Sequence, residues 1–294
     1  MPANKSKAIG FVLLSAFGFA MMNLFVQLSG DLPFIQKAFF RNVVAMFAAM
    51  AALKREGVSF RWEKGNFPLL LLRAMLGTVG IFCNFYALNH LMLADANILN
   101  KMSPFFAILF SLLLLKERAT PFQYAAVLIA FGGSLLIIKP GFSADAFPAF
   151  VGLLGGAGAG AAYTMVRILS KRGEKGPRII FFFSAFSTLV TLPLMLLDFQ
   201  PMTWQQLLIL LGAGLAATLG QFGITLAYAY APAKEISVFD YTQVLFSALL
   251  GLVLLGQIPD GWSILGYIVI CGISVISFVH NRRLERQEQQ SGGL

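Results

Sequence analysis

Few residues in this chain can do chemistry, and those that can are set in apolar surroundings. Lys101 lies about eight residues into the run 93–115, roughly 12 Å from its start at 1.5 Å per residue. Its stem cannot carry the ammonium back to water over that distance. Asn97 precedes it by one turn and shares its face, and Asn100 is its neighbour. A cation flanked by amides suits a carboxylate or phosphate; a structural ion pair inside a bundle uses the same residues. Asp240 lies about five residues into the run 235–255, roughly 7 Å deep, with Gln243 on its face and Tyr241 beside it. A salt bridge, a proton site and a ligand for an amine all remain open roles. Arg41, about seven residues into 34–53, reads as an anion-recognising guanidinium or as a brace to a carbonyl or carboxylate. An ionisable residue inside an apolar span is a functional hypothesis by default.

Uncharged polar residues complete the candidate lining. They are Asn23, Asn84, Tyr86, Tyr163, Gln221, Thr225 and Tyr228, the last three on one helical face at i, i+4 and i+7. Interhelical hydrogen bonding is the alternative use of each. Arg73 and Arg167 sit near helix ends and read as snorkelling anchors. Asp95 and Glu235 open their helices, where a carboxylate favours the positive end of the dipole. Glu117, at a span exit, could serve a gate or a cap. No metal set can be assembled from His90 and His280, and Cys83 and Cys271 read as small buried hydrophobes. The run Gly155 to Gly160 lacks the Lys-Ser/Thr ending of a phosphate loop and reads as close helix packing. No cofactor is expected.

The elements that must position these residues follow from composition. Of 294 residues, 58% are hydrophobic and only 12% charged, against about 25% charged in soluble domains. Mean hydropathy is +0.77. A disordered chain, a nucleic-acid-binding domain and an ordinary soluble enzyme are excluded. The expected class is an all-α integral membrane protein. Ten stretches of about 20 apolar residues lie near 8–28, 34–53, 68–89, 93–115, 120–138, 148–170, 179–197, 204–229, 235–255 and 261–279. The first is long for a signal core and lacks a cleavage pattern, so it reads as a retained span.

Basic residues mark the cytoplasmic side of short loops. With the N-terminus inside, 16 of the 22 lie in cytoplasmic segments, and the opposite loops hold only Lys37 and Lys139. Both termini are therefore expected in the cytoplasm of an inner-membrane protein. The net charge of +9 then reflects topology, and no nucleic-acid partner is expected.

A shift of 140 residues aligns Leu112–Gly133 with Leu252–Ile273, Asp95 with Glu235, and Asn23 with Tyr163. The halves, 1–140 and 148–280, carry five spans each, with 281–294 as a cytoplasmic tail. Because five is odd, the second half enters from the opposite side. Two inverted five-helix repeats are the architecture that many secondary transporters use around a midplane site. Lys101 and Asp240 then face each other near the pseudo-two-fold axis.

The first half also resembles the EamA repeat of the drug/metabolite transporter superfamily. The residues that carry the likeness are Arg73, Gly77, Tyr86-Ala87-Leu88, Leu93-Ala94-Asp95-Ala96, Pro104 and Lys116-Glu117. The second half departs from the pattern at Gln257, Val244 and Ala233-Lys234-Glu235-Ile236, so a proline kink is expected only in the fourth span. The resemblance implies a ten-helix carrier with a central cavity lined by spans 1, 3, 4, 6, 8 and 9. It also implies crossing fourth and ninth spans and a peripheral second span.

The expected function is secondary active transport, by alternating access, of a small polar metabolite of zwitterionic or anionic character, such as an amino acid. The chain reads as an exporter or exchanger driven by protons or a counter-substrate, with Asp240 as proton site. A channel or facilitator is the alternative. An integral-membrane enzyme would need a catalytic cluster that the sequence lacks.

Overall fold

A computed structural model describes residues 5–103, 105–106, 109–110, 120–138, 146–230 and 237–291. Pro104, Lys116, Glu117, Arg118, Lys139, Lys234 and Glu235 lie outside the described residues. So do the side chains of Arg167, Thr225 and Tyr228.

Among the described residues the chain is helical throughout, without strands. Ten helices follow in order: α1 (Lys5–Leu28), α2 (Phe34–Arg55), α3 (Phe67–His90), α4 (Leu93–Asn100), α5 (Pro121–Ile138), α6 (Ala146–Lys171), α7 (Gly176–Leu197), α8 (Trp204–Tyr230), α9 (Thr242–Leu255) and α10 (Gly261–Ser291). A 3-10 turn, Ser237–Tyr241, leads into α9. Among the described residues six helices are long and apolar enough to cross a membrane by length and composition. Two other helices depart from a plain apolar span. Helix α2 turns Gln36, Lys37, Arg41 and Asn42 into the bundle. Helix α4 stops at Asn100, and helical structure resumes at Ser103.

The outer surface is that of a protein in lipid. Leu197, Leu128 and Leu189 are 85%, 72% and 70% exposed, a display that no soluble surface sustains. Trp62, Trp204 and Trp262 flank helix ends and are also exposed, as in the aromatic belts at membrane interfaces.

Packing follows a two-fold pattern. Helix α1 runs along α8 and α3 along α6, while α2 meets α7, α4 meets α9 and α5 meets α10. Exchanging the first five helices with the last five maps this set of pairs onto itself. The long pairs close through glycine. A Cβ on Gly18 would stand 2.8 Å from the Gly220 amide, and one on Gly158 3.0 Å from Gly80 Cα. The stripe Gly155–Gly160 is therefore a packing surface, as its composition implies. One of its members, Gly156, lies against the Leu99 carbonyl at the break in α4.

Polar ties close both ends of the bundle across the halves. At one end the Gln257 carbonyl oxygen accepts the Leu93 amide at 2.8 Å, capping α4. Gln257 can reach this amide because Gly256 ends α9 in the left-handed region, at φ +64°. Gln27 donates to the Leu88 and Leu91 carbonyls nearby. Lys37, expected in a loop, instead lies inside α2, fully buried, and donates to the Gly30 carbonyl and Asn89 Oδ1 at 2.6 Å each. A lysine one turn into a helix can bend back over the preceding turn, which charge counting along a sequence does not register.

At the other end Glu174 accepts hydrogen bonds from Asn66 Nδ2, the Glu63 amide and Arg178. Arg178 also donates to the Ser59 carbonyl at 2.9 Å. Burial alone would push the Glu174 carboxyl up. The hydrogen bonds from Asn66, Arg178 and the Glu63 amide, with the Arg178 charge, outweigh it and hold the carboxyl below its ordinary range. A group so depressed stabilises the fold above its unfolded pKa, and that contribution is lost as pH falls through the folded value.

Two outcomes are expected. Gly156→Ala should lower stability by about 1–3 kcal/mol through overpacking, while Gly10→Ala, with nothing within 4 Å of the new Cβ, should not; thermal unfolding in detergent compares them. Glu174→Gln should melt below wild type at neutral pH, and the gap should close as the pH drops below about 4. A gap that widens on acidification contradicts this account of Glu174.

Candidate functional site: a charged cavity between the halves

A cavity of about 100 Å³ lies between the two halves. It is below the about 300–1,000 Å³ of drug-sized pockets. Its ionic centre joins α4 to the turn before α9. Lys101 Nζ stands 2.5 Å from Asp240 Oδ2, with the lysine side chain 9% exposed. The backbone explains the position. Helix α4 breaks at Lys101-Met102, and Asp240 sits in the 3-10 turn rather than in regular helix. Discontinuous helices at a repeat interface are where transporters place binding groups. A proline kink was expected in this span; Pro104 is outside the described residues, and the break appears at Lys101-Met102, beginning with the charged residue itself.

Neutral hydrogen bonds lock the pair. Tyr241 donates its hydroxyl to the Lys101 carbonyl at 3.1 Å. Asn97 is fully buried, and its Oδ1 accepts from Asn23 Nδ2 at 2.6 Å and Gln243 Nε2 at 2.5 Å. Its own Nδ2 donates to the Leu93 carbonyl. Asn97 and Tyr241 thus stand behind the cavity wall as braces. Asn23, Asn100, Lys101, Tyr163, Gln221, Gln243 and Arg41 line it. Tyr163 keeps half its surface open at this wall. Asn23 Oδ1, Asn84 Oδ1 and Asp240 Oδ1 are buried acceptors without a hydrogen-bond partner.

Three expectations need correction. Tyr86 is not in the lining; its ring packs on His90 at 4.3 Å and edge-on against Phe34 at 5.9 Å. Arg73 is no snorkelling anchor but a buried, cavity-lining residue whose guanidinium lies 3.9 Å from the Phe183 ring centre. The second span is not peripheral: α2 contributes Arg41 and α7 contributes Phe183 to a lining otherwise built from α1, α3, α4, α6, α8 and α9. A sequence signal existed for Arg73. Gly77 lies one turn later, and the Arg73 Nη1 rests where a Cβ of that residue would be. Nothing set Phe183 apart among 29 phenylalanines.

Helices that bury charge around a central cavity, with leucine facing lipid, define a helical membrane carrier. The chain belongs to the EamA-like transporter family, whose model matches it twice, over residues 6–139 and 146–279. Among curated relatives, a pseudopaline exporter of Pseudomonas aeruginosa is 36% identical over 261 residues, covering 88% of this chain and 91% of the relative. A riboflavin transporter of Vibrio cholerae is 27% identical over 94% of this chain and 95% of its own length. Human solute carrier family 35 member G1 is 25% identical over 90% of this chain and 77% of its own. A crystal structure at 20% identity superposes with a TM-score of 0.65 over 96% of this chain and all of that one, which shows the shared fold. The protein is a membrane transporter of a small molecule, not an enzyme.

Asn97 gives the test of this site's scaffold. Asn97→Ala leaves the Asn23 and Gln243 amides without their shared acceptor, at a cost of about 1–3 kcal/mol. Thermal unfolding in detergent measures the loss, and melting of Asn97→Ala equal to that of wild type contradicts the bracing role.

Proposed function

We propose that the chain is a secondary active transporter that exports or exchanges a small polar metabolite of zwitterionic or anionic character, with an amino acid or a related compound as the model. The observation that carries this reading is that Lys101, in the lining of a cavity between the two halves, pairs with Asp240 just behind that lining. Cationic donors and the free acceptors Asn23 Oδ1 and Asn84 Oδ1 line one space, which complements a substrate bearing both an acid and an amine. The two halves are read as inverted repeats, with both termini in the cytoplasm of the inner membrane. The two-fold pairing of helices and the distribution of basic residues support that orientation. Alternating access then follows from rocking one half against the other around the fixed pair.

Asp240 is the proton site of this scheme. Its Oδ2 holds Lys101 and its Oδ1 has no hydrogen-bond partner. A deprotonated Asp240 takes the substrate's amine in place of Lys101, whose ammonium then takes the substrate's acid group. A proton on Asp240 removes that carboxylate and releases the amine. Proton and substrate therefore compete for Asp240 and exchange for each other.

With one proton per cycle, a pH gradient of one unit sustains at most about a tenfold substrate gradient. In proteoliposomes, saturable accumulation should follow an imposed pH gradient in wild type. Asp240→Asn should retain exchange down a gradient and lose the pH-driven accumulation. Unchanged pH dependence in that variant removes the proton role, and flux that neither saturates nor accumulates favours the channel alternative.

A further inference from the structure

The cavity carries more positive charge than the Lys101–Asp240 pair accounts for. Among the described residues that line or bridge it, Arg41, Arg73 and Lys101 are cationic and Asp240 alone is anionic. Asp240 already holds Lys101. Arg41 is 3% and Arg73 6% exposed. Among the described residues no carboxylate makes a salt bridge to either one. Arg41 Nη1 donates to Asn42 Oδ1 at 2.6 Å, and Arg41 Nε has no partner. Arg73 Nε and Nη1 have none either. Two guanidinium groups so buried, unpaired by acid, are costly.

What holds them is aromatic and steric. Phe183 lies beneath both, 3.9 Å from the Arg73 guanidinium carbon and 5.7 Å from that of Arg41. Cation–π contact of this kind offsets part of the desolvation without neutralising the charge. Gly77 supplies the floor on which Arg73 Nη1 lies, and a Cβ there would also stand 2.9 Å from the Phe183 ring. The arrangement gathers two planar five-donor groups over one ring and leaves donors open.

We propose that Arg41 and Arg73, seated on Phe183, form an acid-binding subsite separate from the Lys101–Asp240 pair. The transported metabolite accordingly carries at least two carboxylate groups, one taken by the arginine fork and another near Lys101. The inference rests on the cavity being the transport site and adds the number and placement of the substrate's acids. A planar carboxylate matches a guanidinium with two parallel hydrogen bonds, which a lysine cannot reproduce.

The test uses the purified full-length protein in detergent. Thermal unfolding is followed with succinate, glutamate, citrate, alanine and the dimethyl ester of succinate as probes. Wild type, Arg41→Gln, Arg73→Gln, Arg73→Lys, Lys101→Gln and Gln221→Ala are compared. Succinate, glutamate or citrate should stabilise wild type at concentrations at least about tenfold lower than alanine or the ester do. Arg73→Gln and Arg41→Gln should erase that advantage while leaving the weaker alanine response in place. Arg73→Lys keeps the charge and should fold even if the glutamines do not; it should retain part of the preference. The proposal is overturned if the ester matches the acid, if no di- or tricarboxylate outperforms alanine, or if the acid preference survives in Arg73→Lys and both glutamine variants. Failure of the cavity reading looks different: ligand responses of every kind then persist in Lys101→Gln and Gln221→Ala as well.

Discussion

One buried pair of opposite charges ties the two halves of the chain together. Lys101 comes from the first half and Asp240 from the second, and they meet at 2.5 Å. Neither could stay ionised alone in hydrocarbon without a penalty of several kcal/mol. The meeting dictates much around it. Helix α4 has to stop where its lysine turns toward the partner, and the chain before α9 has to tighten into a 3-10 turn to present the aspartate. Tyr241 and Gln243, within three residues of Asp240, then fasten α4 by its Lys101 carbonyl and its Asn97 side chain. The four residues Asp240 to Gln243 therefore supply the charge, the brace and part of a cavity wall.

Much of this was legible in the sequence, because the signals were periodic or costly. Spans announce themselves by length and hydropathy. The shift of 140 placed Asn23 and Tyr163 at corresponding points, and both line the cavity. The depth of Lys101 and Asp240 forced the search for partners, and they proved to be each other's. What could not be read was the direction of long side chains. Arg73 lies close enough to a helix end to snorkel outward by length alone, and only the space above Gly77 sends it inward. Arg41 belongs to a helix whose polar face identified burial but not what it would face. Tyr86 shared its helix with lining residues yet points to His90. Lys37 counted as a loop charge and is fully buried. These misreadings share one cause: a sequence gives depth along a helix more readily than azimuth around it.

The two ends of the bundle are closed by different chemistry. Two neutral amides, Gln27 and Gln257, and one buried cation, Lys37, hold one end. A buried carboxylate, Glu174, gathers Asn66, Glu63 and Arg178 at the other. The second half carries Gln257 where the family pattern has an acid, so the halves share a plan while their closures differ in charge. A two-fold arrangement of helices is thus compatible with two ends that respond differently to pH and salt.

The glycine contacts have a further bearing on how the scaffold works. Where α1 meets α8 and α3 meets α6, backbone lies against backbone at Gly18, Gly220, Gly80 and Gly158. Beside these points side chains interlock, Phe19 against Gly220 and Phe25 against Gly212. Gly80 also lines the cavity, so the backbone contact of α3 with α6 sets one wall at a depth that no side chain can adjust.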